Sequence, residues 1–279
     1  MVLLENIREN LKSYSSQQKK LALYILENYK AVAFMTTTEL SLKSGVSNTT
    51  INRFCVSLGF KGYSDFQSVF QEVLQSELTA VDRVKQAPVE EDTLDLVFNK
   101  EAEQLAKAVK SIGKKDYTQA LAFLLNARKI IIVGQQASEP VALYGAYSLG
   151  KIRPNVEYIS LSSLDAVGRL QTLGEEDVAL FFGMPRYPKL SLDLLTLLEK
   201  QQCKIILVTH SEFSPLLKCA DVSLIVPITY HRFTDGLSPL ICLINSFALD
   251  IYNANEARGQ KSLAFFEEMA DLLFSEKSE

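Results

Sequence analysis

The chain has 279 residues, 47% of them hydrophobic, which is enough for a large core and, at ordinary domain sizes, for two domains. A formal net charge of −4 argues against a wholly basic nucleic-acid binder, although residues 1–78 hold eight Lys+Arg against seven Asp+Glu and the deficit lies beyond them. Four scattered cysteines, two histidines and the lack of a C-x-x-C pair exclude the usual zinc patterns, so reduced thiols and no metal or cofactor are expected.

No charged stretch leads into an apolar signal core, and no run of about 18 apolar residues occurs, so a soluble cytoplasmic protein is expected. The first helical pattern runs from Ser16 to Tyr29, where Ala22, Ile25, Leu26 and Tyr29 fall at i, i+3, i+4, i+7. Three short helices should follow. "TTTE" at 36–39 is a capping box for the second, reaching Leu42, and "SDFQ" at 64–67 repeats the device for the fourth.

Between them lies "ELSLKSGVSNTTINRFCVSLGF", in which Gly45 can end one helix in the left-handed conformation and Ser47 can cap the next. The new helix sets Ile51, Phe54, Cys55 and Leu58 on one side and Thr49 and Arg53 on the other, with Asn48, Thr50, Asn52 and Ser57 flanking them. An apolar back and a hydrogen-bonding front suit a helix that reads base edges in the major groove. A solvated helical hairpin has the same pattern. No carboxylate occurs from Ser47 to Phe60, and carboxylates would repel phosphate, which favours DNA. The candidate DNA-contacting residues are therefore Lys43, Ser47, Asn48, Thr49, Thr50, Asn52, Arg53 and Lys61; Lys12, Lys19 and Lys20 read as solvated charges.

Residues 77–95 are charged, carry Pro88 and the cluster "EED" at 90–92, and read as a boundary. After a helical stretch near Glu101 to Ser111, apolar runs at 129–134, 156–160, 177–183, 204–210 and 221–227 alternate with helical segments at 139–150, 163–172, 189–201 and 214–219. A long final helix from about Pro239 to Ala257 should close the domain. The alternation predicts a parallel five-stranded sheet covered on both faces, with a ligand crevice at the carboxyl ends of its strands. The expected organisation is an all-α helix-turn-helix domain over 1–78, a linker over 79–96 and a three-layer α/β domain over 97–279.

Three strand ends gather the polar candidates for effector binding: Gly134, Gln136 and Ser138 after the first strand, Arg186 and Tyr187 in "FFGMPRYP", and His210 and Ser211 in "THSEFSPL". Ser138 opens a helix, where backbone N–H groups attract anions, and equally fits a plain N-cap. Pro185 and Pro188 remove two backbone donors, leaving the Arg186 fork for a carboxylate or phosphate, or for a salt bridge between subunits.

"YILEN" at 24–28 and "FMTTTELSLKSGVSNTTINRFCVSLGFKGYSDF" at 34–66 resemble the helix-turn-helix domain of the RpiR (MurR/RpiR) family of bacterial transcriptional regulators. "SPLLKCADVSL" at 214–224, together with "YSLGK" leading to Lys151 and Arg153, resembles the sugar isomerase (SIS) domain that follows it there. The resemblance implies a regulator of a metabolic operon whose SIS-like domain binds a small molecule, often a sugar phosphate, and assembles homodimers or homotetramers on double-stranded operator DNA. The usual SIS loops read G-x-G-x-S and S-x-S-G-x-T. Here Gln136 replaces the second glycine and "MPRYP" replaces the serine loop, resembling a family variant with Phe-Pro-Arg-Tyr-Ser. Two other functions remain open. One is a ligand-free oligomerisation platform; the other is an aldose–ketose isomerase with a general base drawn from His210, His231, Glu139 or Glu256.

Overall fold

The computed structural model describes residues 2–86 and 92–274, and the chain divides into two compact units, Met1–Ala87 and Pro88–Glu279. The expected boundary signals Pro88, Glu90 and Glu91 lie outside the described residues.

The first unit is all helical: α1 (Val2–Glu9), α2 (Ser16–Val32), α3 (Thr37–Ser44), α4 (Asn48–Ser57), α5 (Tyr63–Glu77) and α6 (Ala80–Gln86). Its core is built from Leu3, Ile7, Leu21, Ile25, Leu40, Ile51, Phe54, Phe66 and Phe70, all nearly inaccessible, with Phe66 stacked on Phe70 at 5.1 Å. Helix α1 was not expected, because among its described side chains Leu3 and Ile7 alone form a buried apolar pair and nothing caps it in sequence. The box at Thr36 forms as expected: Glu39 Oε2 accepts from Thr36 N at 2.7 Å, and Thr36 Oγ1 accepts from Glu39 N at 3.2 Å. The box expected on Ser64 does not form. Helix α5 starts at Tyr63, and the Tyr63 N–H is satisfied by Asn52 Oδ1 of α4. Of the expected linker, Ala80–Gln86 is helical, with Thr79 Oγ1 accepting from Asp82 N at 3.1 Å, and a further helix is under way by Thr93.

In the second unit, α7 (Thr93–Ser111) and α8 (Lys114–Asn126) precede β1 (Ile130–Gly134), α9 (Glu139–Gly150), β2 (Val156–Tyr158), α10 (Ala166–Gln171), β3 (Val178–Gly183), α11 (Lys189–Lys200), β4 (Lys204–Thr209) and β5 (Val222–Ile225). The sheet order is β2-β1-β3-β4-β5, parallel throughout. Alternate side chains face two cores. Ile130, Ile132, Leu180, Phe182, Ile206 and Val208 pack with residues of α8, α9 and α12 (Ser238–Ala254), while Ile131, Val133, Ala179, Phe181, Ile205 and Leu207 pack with residues of α10 and α11. This is the expected three-layer α/β architecture.

Two local expectations differ, and a hairpin was not expected. Residues 214–219 form only a 3₁₀ turn at Leu217–Cys219. The closing helix breaks at Asn255 (φ −155°, ψ 78°), where its Oδ1 caps Arg258 N at 3.1 Å and starts α13 (Glu256–Phe274). A hairpin of β6 (Thr229–His231) and β7 (Thr234–Gly236) follows the sheet, too short to show a strand alternation. No helix among the described residues is long and apolar enough to cross a membrane.

Arg153, 6% exposed, closes the amino edge of the sheet. Its Nη1 donates to Leu124 O at 2.6 Å and Leu125 O at 3.0 Å, and its Nη2 donates to Ala127 O, so it satisfies the carbonyls that α8 leaves at its end. Arg153→Met should lower the stability of this unit by about 2 kcal/mol, the scale of charge-assisted hydrogen bonds lost from buried acceptors. A urea midpoint equal to that of the wild type would remove this role.

Candidate functional site

In the first unit, Gly45 ends α3 at φ +64°, a conformation that costs a residue with a side chain, and Ser47 caps α4 by accepting from Thr50 N at 3.3 Å. Lys20 is not simply solvated: its Nζ donates to Gly45 O at 3.2 Å and holds the turn.

The candidate readers divide by what their side chains already do. Asn52 Oδ1 accepts from Tyr63 N at 2.9 Å and its Nδ2 donates to Asn48 O at 3.3 Å, so Asn52 supplies the cap that Ser64 does not. Thr50 Oγ1 lies 2.9 Å from Ser47 Oγ. Asn48, Thr49, Arg53, Lys43 and Lys61 are exposed, with Thr49 and Arg53 opposite the buried Ile51, Phe54 and Cys55. Behind this face, Tyr63 Oη and Gln67 Nε2 donate to Met35 O at 2.7 and 2.6 Å, and Gln71 Nε2 donates to Ala33 O at 2.7 Å. These bonds fasten α5 to the end of α2.

In the second unit, the strand order reverses direction between β1 and β3, and the loops after β1, β3 and β4 meet at their carboxyl ends. Gly134 is a close-approach position: a Cβ there would lie 2.3 Å from Ser138 O. Ser138 is 1% exposed, and its hydroxyl lies 2.9 Å from both Gln135 O and Phe182 O and accepts from Gln135 N at 3.0 Å. Of these two positions expected at the effector, Gly134 lets the loop close on Ser138 O, and the buried Ser138 hydroxyl braces the β1 loop against β3. Thr209 Oγ1 braces β4 in the same way, donating to Gly183 O at 2.7 Å.

The open rim carries Gln136 and Arg186, both exposed and both at positive φ, +53° and +63°. Such backbone strain in side-chain-bearing residues is one mark of functional loops, although Asn155, Gln202 and Arg232 share it here. Arg186 makes no ion pair among the described residues. Tyr187 Oη lies 2.9 Å from His210 Nδ1 and links the β3 and β4 loops. Burial pushes the His210 imidazole down to about 4, and its Nε2 is enclosed without a partner among the described residues. Ser211 Oγ accepts from Phe213 N at 3.2 Å and shapes its own turn. Sequence reasoning missed two neighbours: Gln135, whose Oε1 accepts from the Ser191 hydroxyl of α11, and Tyr158, which with Ser160 donates to Glu139 Oε1. Both depend on side chains distant in sequence.

Residues 1–77 match the helix-turn-helix domain of the rpiR family and residues 123–249 match the SIS domain. A helix-turn-helix transcriptional regulator of Caldanaerobacter subterraneus is 27% identical over 84% of this chain and 83% of its own. The regulator HexR of Escherichia coli is 24% identical over 86% of this chain and 82% of its own. Among solved structures, Vibrio vulnificus NanR complexed with ManNAc-6P superposes with a TM-score of 0.63 at 23% identity, covering 98% of this chain and all of that one. With a helix-turn-helix domain joined to an SIS domain built on a five-stranded sheet, the chain belongs to the RpiR family of transcriptional regulators.

Proposed function

We propose that the protein is a cytoplasmic, ligand-controlled regulator of a metabolic operon, binding two half-sites as a homodimer or homotetramer. In this reading α4 enters the major groove, with Asn48, Thr49 and Arg53 at the bases and Lys43 and Lys61 on phosphates. Asn52, Ser47 and Thr50 set the pose of α4 instead of reading from it. A small anionic metabolite, such as a sugar phosphate or sugar acid, occupies the crevice and meets Arg186, Gln136, Tyr187 and the neutral His210. The observation that carries the reading is the exposed Arg186 fork at the strand-order reversal, which makes no ion pair among the described residues. The sugar phosphate named for the NanR complex supports the ligand class by analogy of fold. Control requires the ligand to favour one DNA-binding state by about 1–3 kcal/mol.

Sensing is favoured over isomerase chemistry because three of the four candidate bases, Glu139, His231 and His210, are separately engaged. Glu139 holds Tyr158 and Ser160, His231 Nε2 lies 2.5 Å from Glu101 Oε1, and His210 faces Tyr187. Glu256 follows α12 at the Arg153 end of the sheet, next to a cavity lined by Ile152, Arg153, Asn255 and Arg258. The inward commitment of Ser138 favours a second reading, a SIS unit that only oligomerises.

Arg53→Ala should abolish selective operator binding; retained affinity and base preference in a gel-shift titration would remove α4 from the reading role. Arg186→Ala should leave DNA binding intact while the thermal shift and operator response to sugar phosphates, sugar acids and carboxylates disappear. If none of these classes stabilises even the wild type, the platform reading stands.

The pH dependence has a definite sign. Folded His210 titrates near 4, below the roughly 6.5 of an unfolded histidine, so the unfolded chain takes up the proton first. This contribution to stability is intact above about pH 6.5 and is lost as the pH falls towards 4. His210→Gln should flatten that decline in unfolding experiments, and an unaltered slope would contradict the burial of the imidazole.

A further inference from the structure

Helix α4 carries one apolar side chain with no packing reason to be where it is. Thr49, Arg53 and Val56 follow one another at i, i+4, i+7, a stripe about 60° wide on the side away from Ile51, Phe54 and Cys55. Val56 is 56% exposed, whereas those three are at most 1% exposed. A β-branched residue has no helix-forming advantage, and at this exposure more than half of its apolar surface stays in water. The rest of the outer face, Asn48, Thr49, Asn52 and Arg53, is polar, and no carboxylate lies between Ser47 and Phe60. A surface that combines hydrogen-bonding groups, one guanidinium and one isolated apolar knob matches the edge of a major groove, where the only apolar feature on any base is the C5-methyl of thymine.

We propose that Val56 is a specificity-determining residue that packs on a thymine methyl group. From Thr49 to Val56 the helix rises about 10 Å, close to three base-pair steps at 3.4 Å, so the thymine lies about three pairs from the one that Thr49 faces. The inference rests on α4 being the reading helix, and it adds a base contact that no polar pattern in the sequence marks. Thymine and uracil present the same hydrogen-bonding edge to Arg53 and Thr49, so only the apolar contact separates them.

The test uses the full chain and duplexes selected by it from random-sequence DNA, with each thymine of the selected site replaced singly by uracil. Wild-type protein should bind about fourfold more weakly when one particular thymine per half-site loses its methyl, the scale of one buried methyl group. Val56→Ala should bind the thymine and uracil duplexes equally at that position while keeping its other base preferences. Val56→Thr, which keeps the branched shape and one methyl, should fall between, and near-wild-type circular dichroism and melting are expected of both because the site is exposed. A wild type indifferent to every methyl, or a methyl effect of equal size in Val56→Ala, overturns the proposal while selective, Arg53-dependent binding still upholds α4 as the reader. If the wild type selects no sequence at all, or selects one whose recognition survives Arg53→Ala, the assignment of α4 falls and the Val56 contact falls with it. A Val56 covered by a second copy of the chain would appear as methyl-independent binding accompanied by loss of the dimer in Val56→Ala.

Discussion

Strands buried on both faces have no room for polar chemistry along their length. In β1 and β3 every residue is enclosed, and each strand must be reached through a helix that covers one side of the sheet. Side chains able to meet a ligand are thereby driven to the carboxyl ends, where the loops after β1, β3 and β4 converge. The same constraint explains why so many side chains at those ends are spent on bracing. Ser138 and Thr209 bond to carbonyls of β3, and Ser191 bonds to Gln135, so the crevice stands on a rigid base with Arg186 and Gln136 at its open rim.

The helical unit solves a different problem. Short helices leave many backbone groups without intrahelical partners, and this unit satisfies them with side chains taken from other helices. Asn52 of α4 caps α5, Lys20 of α2 bonds to the turn before α4, and Tyr63, Gln67 and Gln71 of α5 serve carbonyls beyond α2. Each tie joins two helices, so the pose of α4 is a property of the whole unit.

Elements that announce themselves locally were legible in the sequence. The Thr36 box, the Gly45–Ser47 turn, the five apolar runs and the helix at 139–150 all stand where pattern and capping chemistry put them. The illegible parts are those in which an exposed-looking polar residue finds a distant partner. Asn52 and Arg53 are adjacent and both are exposed on the outer side of a helix, yet Asn52 is committed to Tyr63 N. Ser138 has the sequence position of a ligand-binding serine and the surroundings of a structural one. Helix α1 and the β6–β7 hairpin were missed for the plainer reason that two apolar residues, or three-residue strands, carry too little periodicity.

The chain of ties from Asn52 through α5 to the end of α2 also has a mechanical meaning. A unit stitched in this way behaves as a stiff block: bending α4 away from its neighbours would break the bond from Tyr63 N to Asn52 and pull on the Lys20 tie to Gly45 O, whereas carrying the block from place to place breaks neither. A signal that had to reshape the reading surface would work against all of those bonds. A signal that changes only the distance between two such blocks works against none of them, so control by spacing is the inexpensive route open to this architecture, and half-site separation is the variable through which it would act.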